Sequence, residues 1–132
     1  MKKLIIVLLS AFIAGACNKD LSSIDRTQLM LANKTWFLTY SINENSSKSF
    51  IGKNTYFIQF SNTGTTIDSD GILGNYSVQE HNNNLSIFID AITQNGSLAK
   101  YTYLIEQISS DQLIVSYHID GIKTKKIFST TR

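Results

Sequence analysis

The side chains best suited to chemistry are few and scattered. The 132 residues contain two His, one Cys and ten acidic side chains. An enzyme needs an acid, base or nucleophile held in register with its partners. His81 lies in an Asn-rich turn and His118 where a strand is expected to end, and neither belongs to an HxH or HExxH pattern. A single Cys can make neither an internal disulfide nor a Cys-rich zinc site. Asp68-Ser69-Asp70-Gly71 is similar to a fragment of a calcium loop, but about six to eight oxygens and a distal Glu would be required. A hairpin turn accounts for it better. Lys123, Lys125 and Lys126, near Arg132, could attract an anion. With Lys123 and Lys125 on an exterior face, the expectation is that they solubilise and protect an edge strand. These residues predict a non-enzymatic protein with no metal and no cofactor.

The one Cys has a better use. Lys2 and Lys3 precede an apolar run, Leu4 to Ala14, and then Gly15-Ala16-Cys17. A positive start, a short apolar core and a small-residue cleavage site make a secretory signal over residues 1–16. The run is shorter than the ~20 apolar residues that cross a bilayer. Ala14-Gly15-Ala16-Cys17 resembles the lipobox of bacterial lipoproteins, although Leu is commonest at the Ala14 position. The resemblance implies that Cys17 becomes an acylated first residue, carrying fatty acyl chains such as palmitate and anchoring the protein to a membrane. Asn18-Lys19-Asp20 resembles the polar lead-in of Bacteroidetes lipoproteins, and Asn18 implies sorting to the outer membrane of the cell envelope. Removing Lys2 and Lys3 from 12 basic and 10 acidic side chains leaves ten of each. A chain so balanced has no electrostatic footprint for nucleic acid. The Asn-x-Ser/Thr triplets at Asn33, Asn45, Asn75, Asn84 and Asn95 are read as accidents of composition.

Residues 17–33 read as the lipidated Cys, a tether and a possible short helix. Leu21, Ile24, Leu29 and Leu31 are loosely helical in spacing, with Ser22 or Ser23 as N-cap. Residues 34–132 read as strands. Trp36, Leu38, Tyr40 and Ile42 alternate with Thr35, Thr39 and Ser41, Tyr56/Ile58/Phe60 with Thr55, Gln59 and Ser61, and Tyr76/Val78 with Asn75, Ser77 and Gln79. Leu85/Ile87/Ile89, Tyr101/Tyr103/Ile105, Leu113/Val115/Tyr117 and Ile122/Thr124/Lys126/Phe128 form further faces. A period of two marks a strand with one buried face. Turn residues such as Asn62-Thr63-Gly64, Asn95-Gly96 and Asp120-Gly121 separate them. The spacing predicts eight strands, at about 35–42, 54–61, 65–68, 72–79, 85–91, 98–107, 112–119 and 122–129. A further piece near Ser49–Ile51 reads as an edge or a loop. Connections this short join antiparallel neighbours. The fold class is therefore all-β, a single up-and-down meander that closes into a small barrel and so removes its edges. Strands apolar on both faces, such as Leu85–Ile89 and Leu113–Tyr117, also suit a two-sheet sandwich.

Asn33-Lys34-Thr35-Trp36-Phe37-Leu38 resembles the opening strand of the lipocalin superfamily, whose pattern is Gly-x-Trp. The likeness continues through Phe60-Ser61-Asn62-Thr63-Gly64-Thr65, Gly74-Asn75-Tyr76-Ser77, Asn84-Leu85-Ser86-Ile87 and residues 103–113. The chain thus resembles the lipocalin-like lipoproteins of Bacteroidetes, with Lys34 standing where the family has Gly. On this reading the rings of Trp36, Tyr40, Tyr56, Tyr76, Tyr103 and Tyr117 are candidates to line a ligand site at the barrel mouth. Tyr offers an apolar ring with a polar tip, suited to a small apolar or amphipathic ligand. The competing expectation is that the rings merely fill the interior, since eight strands enclose little more than their own side chains. Two functions follow: a lipid-anchored binding protein, or a filled barrel docking another envelope protein through an exposed apolar strand face.

Overall fold

The computed structural model describes residues 20–44, 48–51 and 56–131, the segment 48–51 as backbone only. The expected signal segment 1–16 and the acylation site Cys17 lie outside the described residues. One helix precedes the strands, α1 (Ser23–Leu31). Ser22 caps it, its Oγ accepting from the Asp25 amide at 3.1 Å, which satisfies one of the free amides of the first turn. Leu31 and Thr27 are buried and Ile24 packs on the core, all three on one helical face. Leu29 and Leu21, grouped with them by spacing alone, are exposed.

The strands are β1 (Lys34–Asn43), β2 (Lys48–Ile51), β3 (Phe57–Phe60), β4 (Thr65–Asp68), β5 (Leu73–His81), β6 (Asn84–Ile92), β7 (Leu98–Ile108), β8 (Gln112–Ile119) and β9 (Ile122–Ser129). Each pairs antiparallel with its neighbour, and β9 returns to pair with β1. The sheet is therefore a closed up-and-down barrel and not a sandwich. The segment near Ser49–Ile51 is a strand. β2 and β3 share one edge of β1, β3 along Lys34–Phe37 and β2 along Tyr40–Asn43. They occupy one position of an eight-strand barrel. Two residues of β1 separate Phe37 from Tyr40, while five separate Ile51 from Phe57.

Two bulges reset which side chains face inward. In β1, Leu38 pairs with Phe128 but Tyr40 pairs with Ile127, so Thr39 is the extra residue. Its hydroxyl donates to the Ile127 carbonyl at 2.9 Å. An extra residue shifts the alternation by one. Beyond Thr39 it is Ser41 and Asn43 that share the inner face with Lys126 and Thr124, while Tyr40 and Ile42 turn outward. In β7 the extra residue is Glu106, between Ile105, opposite Val115, and Gln107, opposite Ile114. Its carboxylate lies 2.8 Å from the Lys125 Nζ and 3.2 Å from that of Lys123. Lys125 donates to it and holds it below the usual carboxylate range.

The core fills the helix end of the barrel. Leu31, Trp36, Phe60, Ile87, Leu113, Val115 and Phe128 are almost wholly buried there. Trp36 Nε1 donates to the Leu31 carbonyl at 3.0 Å, occupying one of the carbonyls that a helix leaves free in its last turn. Ser23 Oγ donates to the Glu80 carboxylate, and the Asn33 amide to the Phe60 carbonyl. Lys34 earns its place beside the tryptophan: its Nζ sits 5.5 Å from the centre of the Trp36 ring and donates to the Ser110 carbonyl at 3.0 Å.

Candidate functional site

At the end of the barrel away from α1, the strand faces carry Tyr rings and polar groups in place of a packed aliphatic core. A cavity of about 200 Å³ is lined there by Tyr56, Ile58, Thr66, Asp68, Asp70, Ile72, Ile89, Tyr101, Tyr103 and Lys126. A second space, in the barrel wall, shares part of this lining. β7 and β8 are paired from Ile108–Leu113 only as far as Leu104–Ser116. Beyond that point β7 follows β6 while β8 follows β9. The cleft between them, about 660 Å³, shares Tyr101, Tyr103 and Lys126 with the inner cavity and adds Tyr117, His118 and Ile119. Ligand cavities generally span ~300–1,000 Å³, so the inner space suffices only together with the cleft.

The rings brace one another. Tyr103 meets Tyr117 edge-on at 5.4 Å and lies parallel to Tyr101 at 6.3 Å. Tyr56 donates its hydroxyl to Asp68 Oδ2 at 3.1 Å. The other Asp68 oxygen accepts from the amides of Asp70 and Ile72, each at 3.0 Å. The Asp68–Gly71 segment is thus a hairpin turn tied by its own first carboxylate, with Gly71 at φ +75°. Lys126 points inward on β9, opposite Val115 and Ser41. Its Nζ stands 5.3 Å from the centre of the Tyr56 ring and 5.2 Å from that of Tyr117.

Burial governs the titration of this end. It raises the Tyr56 and Tyr103 phenols well above their ordinary range, with smaller contributions from neighbouring Tyr and Asp groups. It lowers the Lys126 ammonium, against the opposing pull of Asp68 and Asp70. The folded state therefore holds the phenolic protons more tightly than the unfolded chain. Their contribution to stability is complete below about pH 10 and falls away above it. Lys126 has the opposite slope, because its folded form prefers to be neutral, and that slope ends near pH 10.4. We expect urea unfolding to show a steep loss of stability above about pH 10.4. Tyr103→Phe should reduce the slope by up to ~1.4 kcal/mol per pH unit. An unchanged slope would mean that the phenol is not buried.

The six candidate rings divide among three places. Tyr56, Tyr103 and Tyr117 meet around the cavity and cleft, joined by Tyr101. Trp36 is in the helix-end core. Tyr76 braces that half: its hydroxyl donates to the Ser61 carbonyl at 2.7 Å, and its ring meets Phe60 at 4.9 Å. Tyr40 is on the outer face, because of the Thr39 bulge. The basic strand also differs from expectation. β9 is paired on both sides and is no edge. Lys123 and Lys125 lie outside and bridge to Glu106, and Lys126 lies inside. Two polar residues of the site, Lys126 and Asp68, had signals: Lys126 falls on the inward alternation of its strand, and Asp68 precedes a tight turn. His81 and His118 are exposed on separate strands. Among the described residues, no group of three or more His, Cys, Asp or Glu converges to hold a metal.

No family model and no curated protein matches the chain. Among solved structures, a lipocalin-like protein from Bacteroides uniformis matches with a TM-score of 0.56 at 23% sequence identity. The match covers 76% of this chain and 98% of that one. At this identity the likeness is one of fold, and the barrel is lipocalin-like.

Proposed function

We propose that the protein is a non-enzymatic binding module that holds one small apolar or amphipathic molecule at the end of its barrel away from α1. The observation that carries this reading is the inner cavity, ringed by Tyr56, Tyr101 and Tyr103, which shares Tyr101, Tyr103 and Lys126 with the β7–β8 cleft. A neutral fluorescent probe, N-phenyl-1-naphthylamine, tests it. Saturable one-to-one binding is expected, and Ile72→Trp, which places an indole into the cavity, should abolish it while the far-ultraviolet spectrum stays unchanged. No saturable binding, or binding indifferent to Ile72→Trp, would overturn the reading.

The address completes the proposal: acylation at Cys17 would tether the domain to the outer membrane of a bacterial envelope through a short polar leader. Incorporation of an alkyne-tagged palmitate that disappears in Cys17→Ser is expected, and labelling retained in that variant would contradict it.

A second reading has its own observation. Ile67, Leu73, Ile92 and Leu98 stand directly opposite one another across β4, β5, β6 and β7. They form an outward apolar row, with exposures of 40%, 57%, 54% and 83%. Such a row suits docking of another envelope protein. Cross-linking in intact cells would then depend on Leu73 and Leu98, and identical cross-links after Leu73→Ser and Leu98→Ser would count against it.

A further inference from the structure

We infer that the molecule held at this site is an anionic amphiphile, its carboxylate or sulfonate seated on the Lys126 ammonium and its apolar body lying between the Tyr rings and the β7–β8 cleft. This rests on the binding reading above and specifies its ligand class. Three observations lead to it.

The first is the placement of Lys126. The register of β9 against β1 and β8 fixes it on the inner face, among Ser41, Val115 and the Tyr rings. A long cationic side chain on a strand that is paired on both sides could have been any apolar residue, as Phe128 is two positions on. Withdrawing an ammonium from water costs free energy that two ring faces and the Asp68 and Asp70 carboxylates offset only in part. A bound anion would supply the remainder.

The second is the state of the donors and acceptors. Among the described residues, the Lys126 Nζ has the two ring faces as partners and forms no ion pair, although Asp68 and Asp70 act on its charge. The Tyr103 hydroxyl likewise has ring neighbours and no hydrogen bond. The acidic group facing this space, Asp68, is engaged on both oxygens, by the Tyr56 hydroxyl and by the Asp70 and Ile72 amides. The other carboxylate of the cavity lining, Asp70, is exposed at the turn and makes no ion pair with Lys126. The Lys126 ammonium and the Tyr103 hydroxyl are thus donors still open to an acceptor-rich head group.

The third is the shape. Lys126 lines both the inner cavity and the cleft, so one molecule can reach the ammonium and still lie along Tyr101, Tyr103 and Tyr117. A small head inside and an apolar body in the wall opening describe an amphiphile.

Two probes with the same aromatic body separate the ideas: 8-anilinonaphthalene-1-sulfonate, an anion, and neutral N-phenyl-1-naphthylamine. Both are titrated against the wild type, Lys126→Met and Lys126→Arg. Lys126→Met should weaken the sulfonate at least about tenfold, as expected for losing one partner of a sheltered charge pair. It should leave the neutral probe within about twofold, and Lys126→Arg should retain the sulfonate. If Lys126→Met leaves both affinities unchanged, the inference fails while the binding reading stands. Equal weakening of both probes would also overturn it, by assigning Lys126 to packing. If neither probe binds the wild type, both readings fail.

Discussion

Replacing Trp36 with Ala should cost about 3–5 kcal/mol of unfolding free energy, the range for removing a buried indole. The side chain is 0% exposed and packs where α1 meets the barrel. Its deletion also frees the Leu31 carbonyl that Nε1 now occupies, and removes the ring beneath the Lys34 ammonium. Trp36→Phe separates these contributions. It keeps most of the apolar volume but leaves the Leu31 carbonyl without its donor, a cost of about 1–3 kcal/mol. Urea titrations followed by circular dichroism measure both. A loss below about 1 kcal/mol for the Ala variant would mean that the helix does not depend on this contact.

Asp68→Ala should cost about 3 kcal/mol, because three donors lose a charged acceptor at once. The Tyr56 hydroxyl would be left half-buried without its partner, and the Asp70 and Ile72 amides would lose the oxygen that shapes the turn. Asp68→Asn should cost less, about 1 kcal/mol, since its oxygen can still serve the two amides and its amide can donate to the Tyr56 oxygen. Thermal and urea unfolding of the pair would check the order. Equal losses for the two variants would show that charge, not turn geometry, is what the site uses.

The strand pattern was legible because burial on one face imposes a period of two wherever the strand is regular. The bounds of β4, β8 and β9 follow directly from that alternation. The left-handed turn residues Asn82, Asn83, Asp120 and Gly121 lie where the sequence placed its tight turns. Closure was readable only as an inference from the need to hide edges. The pairing of β1 with β9 settles it against a sandwich.

The candidate site was only partly legible. Trp36, Leu38, Tyr40 and Ile42 keep a period of two, yet the bulge at Thr39 sends Tyr40 to the other face. Threonine carries no backbone signature of a bulge, unlike glycine, so the parity change exists only in the pairing with Ile127. The split of β2 from β3 is likewise a property of their shared edge on β1. Lys126 shows the converse: alternation placed it inward with Phe128, and its charge argued outward. Here the period was the better guide, because long cationic stems pack against apolar surface and ring faces can receive the head. Asp68 was read as turn chemistry, and it is. That its second oxygen holds the Tyr56 hydroxyl depends on a contact across β3 and β4 that no local pattern encodes.

Native mass spectrometry of residues 18–132, purified from a bacterial periplasm without detergent, tests the binding account most directly. The account predicts a reproducible added mass, that of one small molecule, which vanishes on unfolding and is absent from Ile72→Trp. A protein that appears only at its bare mass, and stays so when offered either naphthalene probe, would contradict it.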